Sequence, residues 1–388
     1  MSEQADISGA TPVPTDPADG SGATPVPSDP DAFRAQFPVL DRLVYLNAGT
    51  TGPVPRPAAE VARSRIEREL TAGRCGRPYF EELMGLASGL RTHYAAALGC
   101  AFTSVALTGS TTDGVNTVIA GLDLRPGEEI LTTDEEHPGL LAPLARARIR
   151  YGITVRVVPW EELVGAASSA TRLIACSHVS WVSGRVMDVP ALAASGAPVL
   201  LDGAQALGAV PVNVGDLGCA FYAASGQKWL CGPEGSGCLF VHPDHVDDLL
   251  IPWPNYGSLT RGSDPLDLVP AEGATRFDHG FPPGVRSSWA LASLEVLEAP
   301  GWQWVHGRAA DMSAALVAGL EERGLEVAPR GRSTLVSWRV EDPEAEVARL
   351  AEAGVIVRSI PGWGLVRASV GAWSSASDIE TLTRHAVL

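Results

Sequence analysis

The chain has almost no lysine. It carries one, Lys228, in 388 residues, against 28 arginines. A guanidinium stays protonated and does not condense with an aldehyde, whereas a desolvated lysine amine does. Any chemistry that needs a side-chain primary amine therefore falls to Lys228. Positive charge is scarce overall: the formal net charge is −16. That argues against a nucleic-acid or anionic-membrane partner, which requires a basic face. No apolar run reaches the roughly 18 residues of a membrane-spanning helix. Cysteines number six, with no C-x-x-C pair, which excludes a dense disulfide scaffold and fits a reduced, cytoplasmic setting. The N-terminus carries Glu3 and Asp6 and no apolar stretch, so it does not read as a secretory signal.

What is present is organised in three parts. Residues 1–31 contain a duplicated Ser-Gly-Ala-Thr-Pro-Val-Pro segment. Proline is dense there and large apolar side chains are few, so a disordered tail is expected. From residue 32 to about 270 short apolar runs alternate with helical periodicity. Strands are predicted at 104–108, 129–132, 153–158, 172–177, 198–202, 220–223 and 237–241, and helices at 57–70, 79–98, 113–120 and 140–150. That alternation implies an α/β domain with a mostly parallel sheet covered on both faces. Beyond a Pro/Gly/Asp-rich stretch at 251–284, residues 271–388 read as a smaller α+β domain. Its helices are predicted at 287–297, 309–323 and 344–353, and its strands at 335–340, 355–359 and 364–369.

Lys228 sits in Ser225-Gly226-Gln227-Lys228-Trp229, after an apolar strand and before the glycine-rich segment 231–237. The run 197–202 is another apolar strand, and it ends in Asp202. Parallel sheets bind ligands at the carboxyl ends of their strands. An acid and a lysine at successive strand ends match the ring-nitrogen partner and the Schiff-base lysine of a pyridoxal phosphate (PLP) site. Asp202 also suits a simple helix cap or turn. Gly109-Ser110-Thr111-Thr112-Asp113-Gly114 follows a strand and opens a helix, which suits a phosphate and equally suits ordinary capping. His137 lies just past a strand end, placed either to stack on an aromatic ring or merely on a loop. Arg367 closes a C-terminal strand and could hold a carboxylate by a paired hydrogen bond. Cys231, Cys238, His242 and His245 lie within 15 residues, but their spacing matches no zinc pattern, and no metal is expected.

As an ordered set, Tyr45-Leu-Asn-Ala-Gly49, Gly109–Gly114, Glu136-His137, Asp202-Gly-Ala-Gln205, Ser225-Gly-Gln-Lys228 and Arg276-Phe-Asp278 resemble the class-V aminotransferase family of PLP enzymes, from about Tyr45 to the C-terminus. The resemblance implies PLP fold type I, with Lys228 binding the aldehyde carbon. It puts Asp202 on the pyridinium, Gln205 on the ring hydroxyl and His137 on the ring face. Thr111, Thr112, Ser225 and Gln227 would take the phosphate. Arg367 would take the substrate carboxylate, with Asn47, Ala48 and Trp181 nearby. It also implies a homodimer, with the loop at residues 276–281 reaching the partner's site.

Three features depart from cysteine desulfurases of that family. Gln227 stands where many have histidine, and Phe281 near where they have a hydroxyl. No cysteine follows Cys238, so the loop before Arg367 holds no persulfide-forming thiol. Trp181 stands where they tend to have asparagine, and with Glu136-His137-Pro138-Gly139 it looks more like the cysteine/cystine C–S lyase branch. The function implied is β-elimination on cysteine, cystine or a related amino acid. Alternatives are an epimerase or racemase of the isopenicillin N epimerase type, a desulfurase using an external thiol acceptor, an aminotransferase, or an inactive scaffold of the same fold. Because Lys228 is the sole lysine, borohydride reduction of the PLP-loaded protein is expected to fix pyridoxyl on one lysine-bearing peptide. Peptide mapping by mass spectrometry checks this, and an unlabelled Lys228 refutes it.

Overall fold

The computed structural model describes residues 29–387. The proline-rich tail read at 1–31 lies, through residue 28, outside them. Residues 30 and 31 correct its end. They open helix α1 (Pro30–Arg34), which Asp29 caps by accepting from the Asp31 N–H, with proline at the first helical position. Strand β1 (Val44–Tyr45) follows. Helices α2 (Arg56–Ala72) and α3 (Gly76–Leu98) then cross the molecule, α3 ending at Gly99 in the left-handed region.

The main sheet uses β2 (Val105–Thr108), β3 (Glu129–Thr133), β4 (Thr154–Val158), β5 (Thr171–Ser177), β6 (Val199–Asp202), β7 (Phe221–Ser225) and β8 (Gly237–Val241). Its order is β2-β8-β7-β6-β5-β3-β4, with β8 alone antiparallel to its neighbours. Between the strands run α4 (Thr111–Gly121), α5 (Pro138–Tyr151), α6 (Val189–Ala193) and α7 (Val214–Leu217). The strands read as unbroken apolar runs because both faces are buried. Along β5, Leu173 and Ala175 pack with α4 and α5, while Ile174 and Cys176 pack with the core on the other face.

The C-terminal part holds α8 (Gly284–Glu298), α9 (Trp302–Glu322), β9 (Leu335–Arg339), α10 (Pro343–Glu352), β10 (Val355–Ile356), β11 (Arg358–Ile360), β12 (Leu365–Ser369) and α11 (Ala376–His385). The single strand expected at 355–359 is two. β10 pairs with β1, and after Val357 β11 pairs with β12 in the small sheet β11-β12-β9. The helix expected from 309 starts at Trp302. Two segments cross the 270/271 division read from sequence. β1 joins β10, and α8 packs with α2 and α3. Among the described residues no helix is long and apolar enough to cross a membrane.

The N-terminal segment is pinned to the C-terminal part. Phe37 meets Phe33 at 5.5 Å and Trp373 at 5.2 Å between ring centroids, and Arg34 pairs with Asp378 at 2.5 Å. Phe37 is 1% exposed. Phe37→Ala is expected to cost about 3–5 kcal/mol, read as a lowered urea midpoint.

Candidate active site

The carboxyl ends of the parallel strands converge on one cavity of ≈ 240 Å³. β6 delivers Asp202, β5 Ser177 and β7 Ser225, with Gln227 and Lys228 just beyond. The turn after β2 adds Ser110, Thr111 and Thr112, and the turn after β3 adds His137. From the small sheet come Arg367 on β12 and Arg358 on β11, directly opposite each other in the antiparallel register. Gly49, Thr50 and Trp181 complete the wall.

Ten of the twelve residues singled out from sequence line this cavity: Thr111, Thr112, His137, Trp181, Asp202, Gln205, Ser225, Gln227, Lys228 and Arg367. Asn47 and Ala48 do not. Ala48 is buried in the core, and Asn47 Oδ1 accepts from Thr50 Oγ1 at 2.8 Å, steadying a residue that does line it. Arg358, Ser177 and Thr50 also line it and lie outside the motifs read from the sequence. The available signal for Arg358 was an arginine in an apolar strand one hairpin before Arg367.

Burial sets the electrostatics. Lys228 is pushed down to about 8, first by desolvation. Asp202 opposes that shift, while Arg367 and Arg358 add to it. Asp202 Oδ1 accepts from the Ala204 N–H at 2.9 Å. Burial raises its carboxyl, and Lys228 and that hydrogen bond pull it back. His137 caps α5, its Nδ1 accepting from the Gly139 N–H at 3.0 Å. The proton of the neutral ring is thereby assigned to Nε2. Desolvation, then Lys228 and the two arginines, depress His137 to about 4, so it is neutral at physiological pH. Its ring meets Trp181 edge-on at 5.0 Å. Behind it, Glu136 accepts from Thr133 Oγ1 at 2.7 Å and Ser177 Oγ at 2.6 Å, yet burial still raises it to about 7.

Several polar groups here are only partly used. Arg367 is fully buried. Its NH1 donates to the Trp181 carbonyl at 2.6 Å, while Nε and NH2 have no partner among the described residues. Such N–H groups are costly unless an anion completes them. Gln205 donates one N–H to the Gly49 carbonyl at 2.8 Å and accepts from Trp229 Nε1 at 3.1 Å, which leaves one amide N–H. Gln227 Oε1 is buried without a partner among the described residues. Thr111 opens α4, and its hydroxyl contacts Ser225 Oγ at 2.7 Å. A helix N-terminus ringed by hydroxyls, a carboxylate, a spare amide N–H and an amine suit a phosphorylated pyridine aldehyde. Cys231 and Cys238 are buried, while His242 and His245 are only partly so. Among the described residues no group of three His, Cys, Asp or Glu could hold a metal.

An aminotransferase class-V family model matches residues 44–382, and the chain belongs to that family. Its relatives include cysteine desulfurases and C–S lyases. A probable cysteine desulfurase of Methanothermobacter thermautotrophicus is 26% identical over 90% of this chain and 95% of that one. An isopenicillin N epimerase of Amycolatopsis lactamdurans is 30% identical over 87% of each. Among solved structures, the cystine C–S lyase C-DES in complex with its reaction product cysteine persulfide superposes with TM-score 0.84 at 27% identity, covering 90% of this chain and 98% of that one. A variant of C-DES with glycine covalently linked to its PLP cofactor gives TM-score 0.85, also at 27% identity and with the same coverage.

Only the neutral amine of Lys228 is nucleophilic. Its acylation in the full-length cofactor-free protein is therefore expected to rise about tenfold per pH unit and level off above about pH 8. An ordinary lysine keeps accelerating past pH 10. Mass-spectrometric mapping of the Lys228 peptide across pH checks this.

Proposed function

We propose that the protein is a PLP-dependent C–S lyase acting by β-elimination on cysteine, cystine or a related sulfur amino acid, and giving pyruvate, ammonia and a sulfur product. The observation that carries this is the make-up of the cavity. It holds an amine, a carboxylate and two guanidinium groups, and no thiol, although all six cysteines lie among the described residues.

When bound, PLP supplies the electron sink that stabilises a carbanion at the substrate α-carbon. Asp202 would keep the proton on the ring nitrogen. The spare N–H of Gln205 would serve the ring hydroxyl, and His137 would cover the ring. Thr111, Thr112, Ser225 and Gln227 would hold the phosphate at the start of α4. Lys228 would anchor the cofactor until the substrate amine displaces it; once freed, its amine, neutral above about pH 8, would take the α-proton. Arg367 receives the substrate carboxylate on Nε and NH2. Arg358, across the hairpin, suits a second carboxylate, as cystine has. A disulfide substrate carries its own sulfur leaving group, so no enzyme thiol is needed. We further propose a homodimer. Trp253, Tyr256, Leu266 and Phe281 leave an apolar surface on and around the 251–284 stretch, each at least half exposed.

A second reading is epimerisation, favoured by the relationship to isopenicillin N epimerase over most of both chains. Removal of the α-proton by Lys228 serves both. A screen of cysteine, cystine and thioether amino acids for pyruvate, sulfide and alanine separates them. Pyruvate release is expected, fastest with cystine. Loss of α-deuterium with inversion and no pyruvate would establish epimerisation instead, and alanine would indicate desulfuration.

A further inference from the structure

The loop that carries Lys228 is closed on itself. The Gly232 N–H donates to the Gly226 carbonyl at 2.9 Å, and the Cys231 N–H to the Lys228 carbonyl at 3.1 Å. The Gly226 N–H in turn donates to the Ser236 carbonyl at 2.7 Å. Closure makes the chain reverse at Cys231, whose φ is +55°. Among the described residues only Cys231 and Leu268 are non-glycine residues with positive φ, a conformation L-residues rarely adopt. Leu268 lies in an exposed loop, whereas Cys231 is 1% exposed and three residues past Lys228.

Helix α8 holds Cys231 there. Its carbonyl accepts from Trp289 Nε1 at 3.2 Å and from the buried Ser293 Oγ at 2.9 Å. On the opposite side the Gly52 N–H donates to the Gln227 carbonyl at 2.8 Å. A side chain at Gly52 would overlap the Lys228 carbonyl oxygen and meet Cys231 Sγ at 3.0 Å. Strained backbone persists only where its surroundings over-determine it. Neither Trp289 nor Ser293 lines the cavity.

We propose that Trp289 and Ser293 are positioning residues for Lys228: by pinning the Cys231 carbonyl they keep the lysine loop closed, and so hold the amine in the cavity with Asp202. The benefit to catalysis rests on the function proposed above, but the placement of the amine does not. The groups facing Lys228 are Asp202, Arg358, Arg367 and His137, and all four stay intact in the variants below.

The test compares the wild-type full-length chain with Trp289→Phe/Ser293→Ala, and with that pair plus Cys231→Gly. Two quantities are read: the pH midpoint of Lys228 acylation in cofactor-free protein, and the rate at which added PLP becomes trapped on Lys228 by borohydride. In the double variant the midpoint is expected to rise by about one unit toward that of free lysine, and capture to slow roughly tenfold. Adding Cys231→Gly is expected to restore both to within about threefold, because glycine takes a positive φ unaided. An unchanged double variant overturns the proposal. So does a loss that glycine fails to rescue, since that marks core packing alone. If circular dichroism shows the double variant unfolded, each single substitution is tested with and without Cys231→Gly under the same criteria. Wild-type protein that captures no PLP defeats the cofactor reading, while the acylation midpoints still decide the loop.

Discussion

The site is governed by an imbalance of charge in a place poor in water. Lys228, Arg358 and Arg367 face a single lining carboxylate, Asp202. Cations held out of water must be paired or lose their protons. Burial and the neighbouring guanidinium groups draw the lysine down to about 8, against the pull of Asp202, and His137 stays neutral because it is desolvated and the same cations surround it. Guanidinium groups cannot follow, so the unpaired N–H groups of Arg367 are left for an anion from outside.

The scaffold keeps Asp202 from retreating. Behind it, the hydroxyl end of the Tyr222 ring lies against Gly203, where any Cβ would overlap it. The Tyr222 hydroxyl contacts His178 Nδ1 at 3.1 Å, and the His178 N–H donates to the Asp202 carbonyl at 2.9 Å. The carboxylate therefore sits on a packed, hydrogen-bonded floor at the end of β6. The arginines come from a separate sheet, and their shared face follows from antiparallel register: β11 places Arg358 opposite Arg367.

Much of this was legible in the sequence, for physical reasons. The seven main strands stood out because burial on both faces demands apolar runs. Asp202 and Lys228 stood out because polar residues end such runs. What escaped was tertiary. Helix α1 is five residues long and owes its place to Phe33 and Phe37 meeting Trp304 and Trp373, hundreds of residues away. Strand β1 is two residues long, too short for any periodicity. Residues 355–359 read as one strand, and only its partners reveal a change of sheet at Val357. Arg358 is one arginine among many until the register sets it beside Arg367. Asn47 and Ala48 stand just before the cavity wall, which their neighbours Gly49 and Thr50 line.

The strand at Val44–Tyr45 has a further consequence for how the molecule is made. Its partner is Val355–Ile356, and the chain beyond it reaches Ser369 through Asn47. Gly49 and Thr50, only a few residues on, belong to the same wall as Arg358 and Arg367. A ribosome that has completed the seven-stranded sheet has therefore made Lys228 and Asp202 but left their chamber open on one side. The opening residues must wait, unpaired, for more than 300 others to emerge, a contact of very high sequence separation. The wall around the amine is complete only when residues 44–50 and 355–369 have come together.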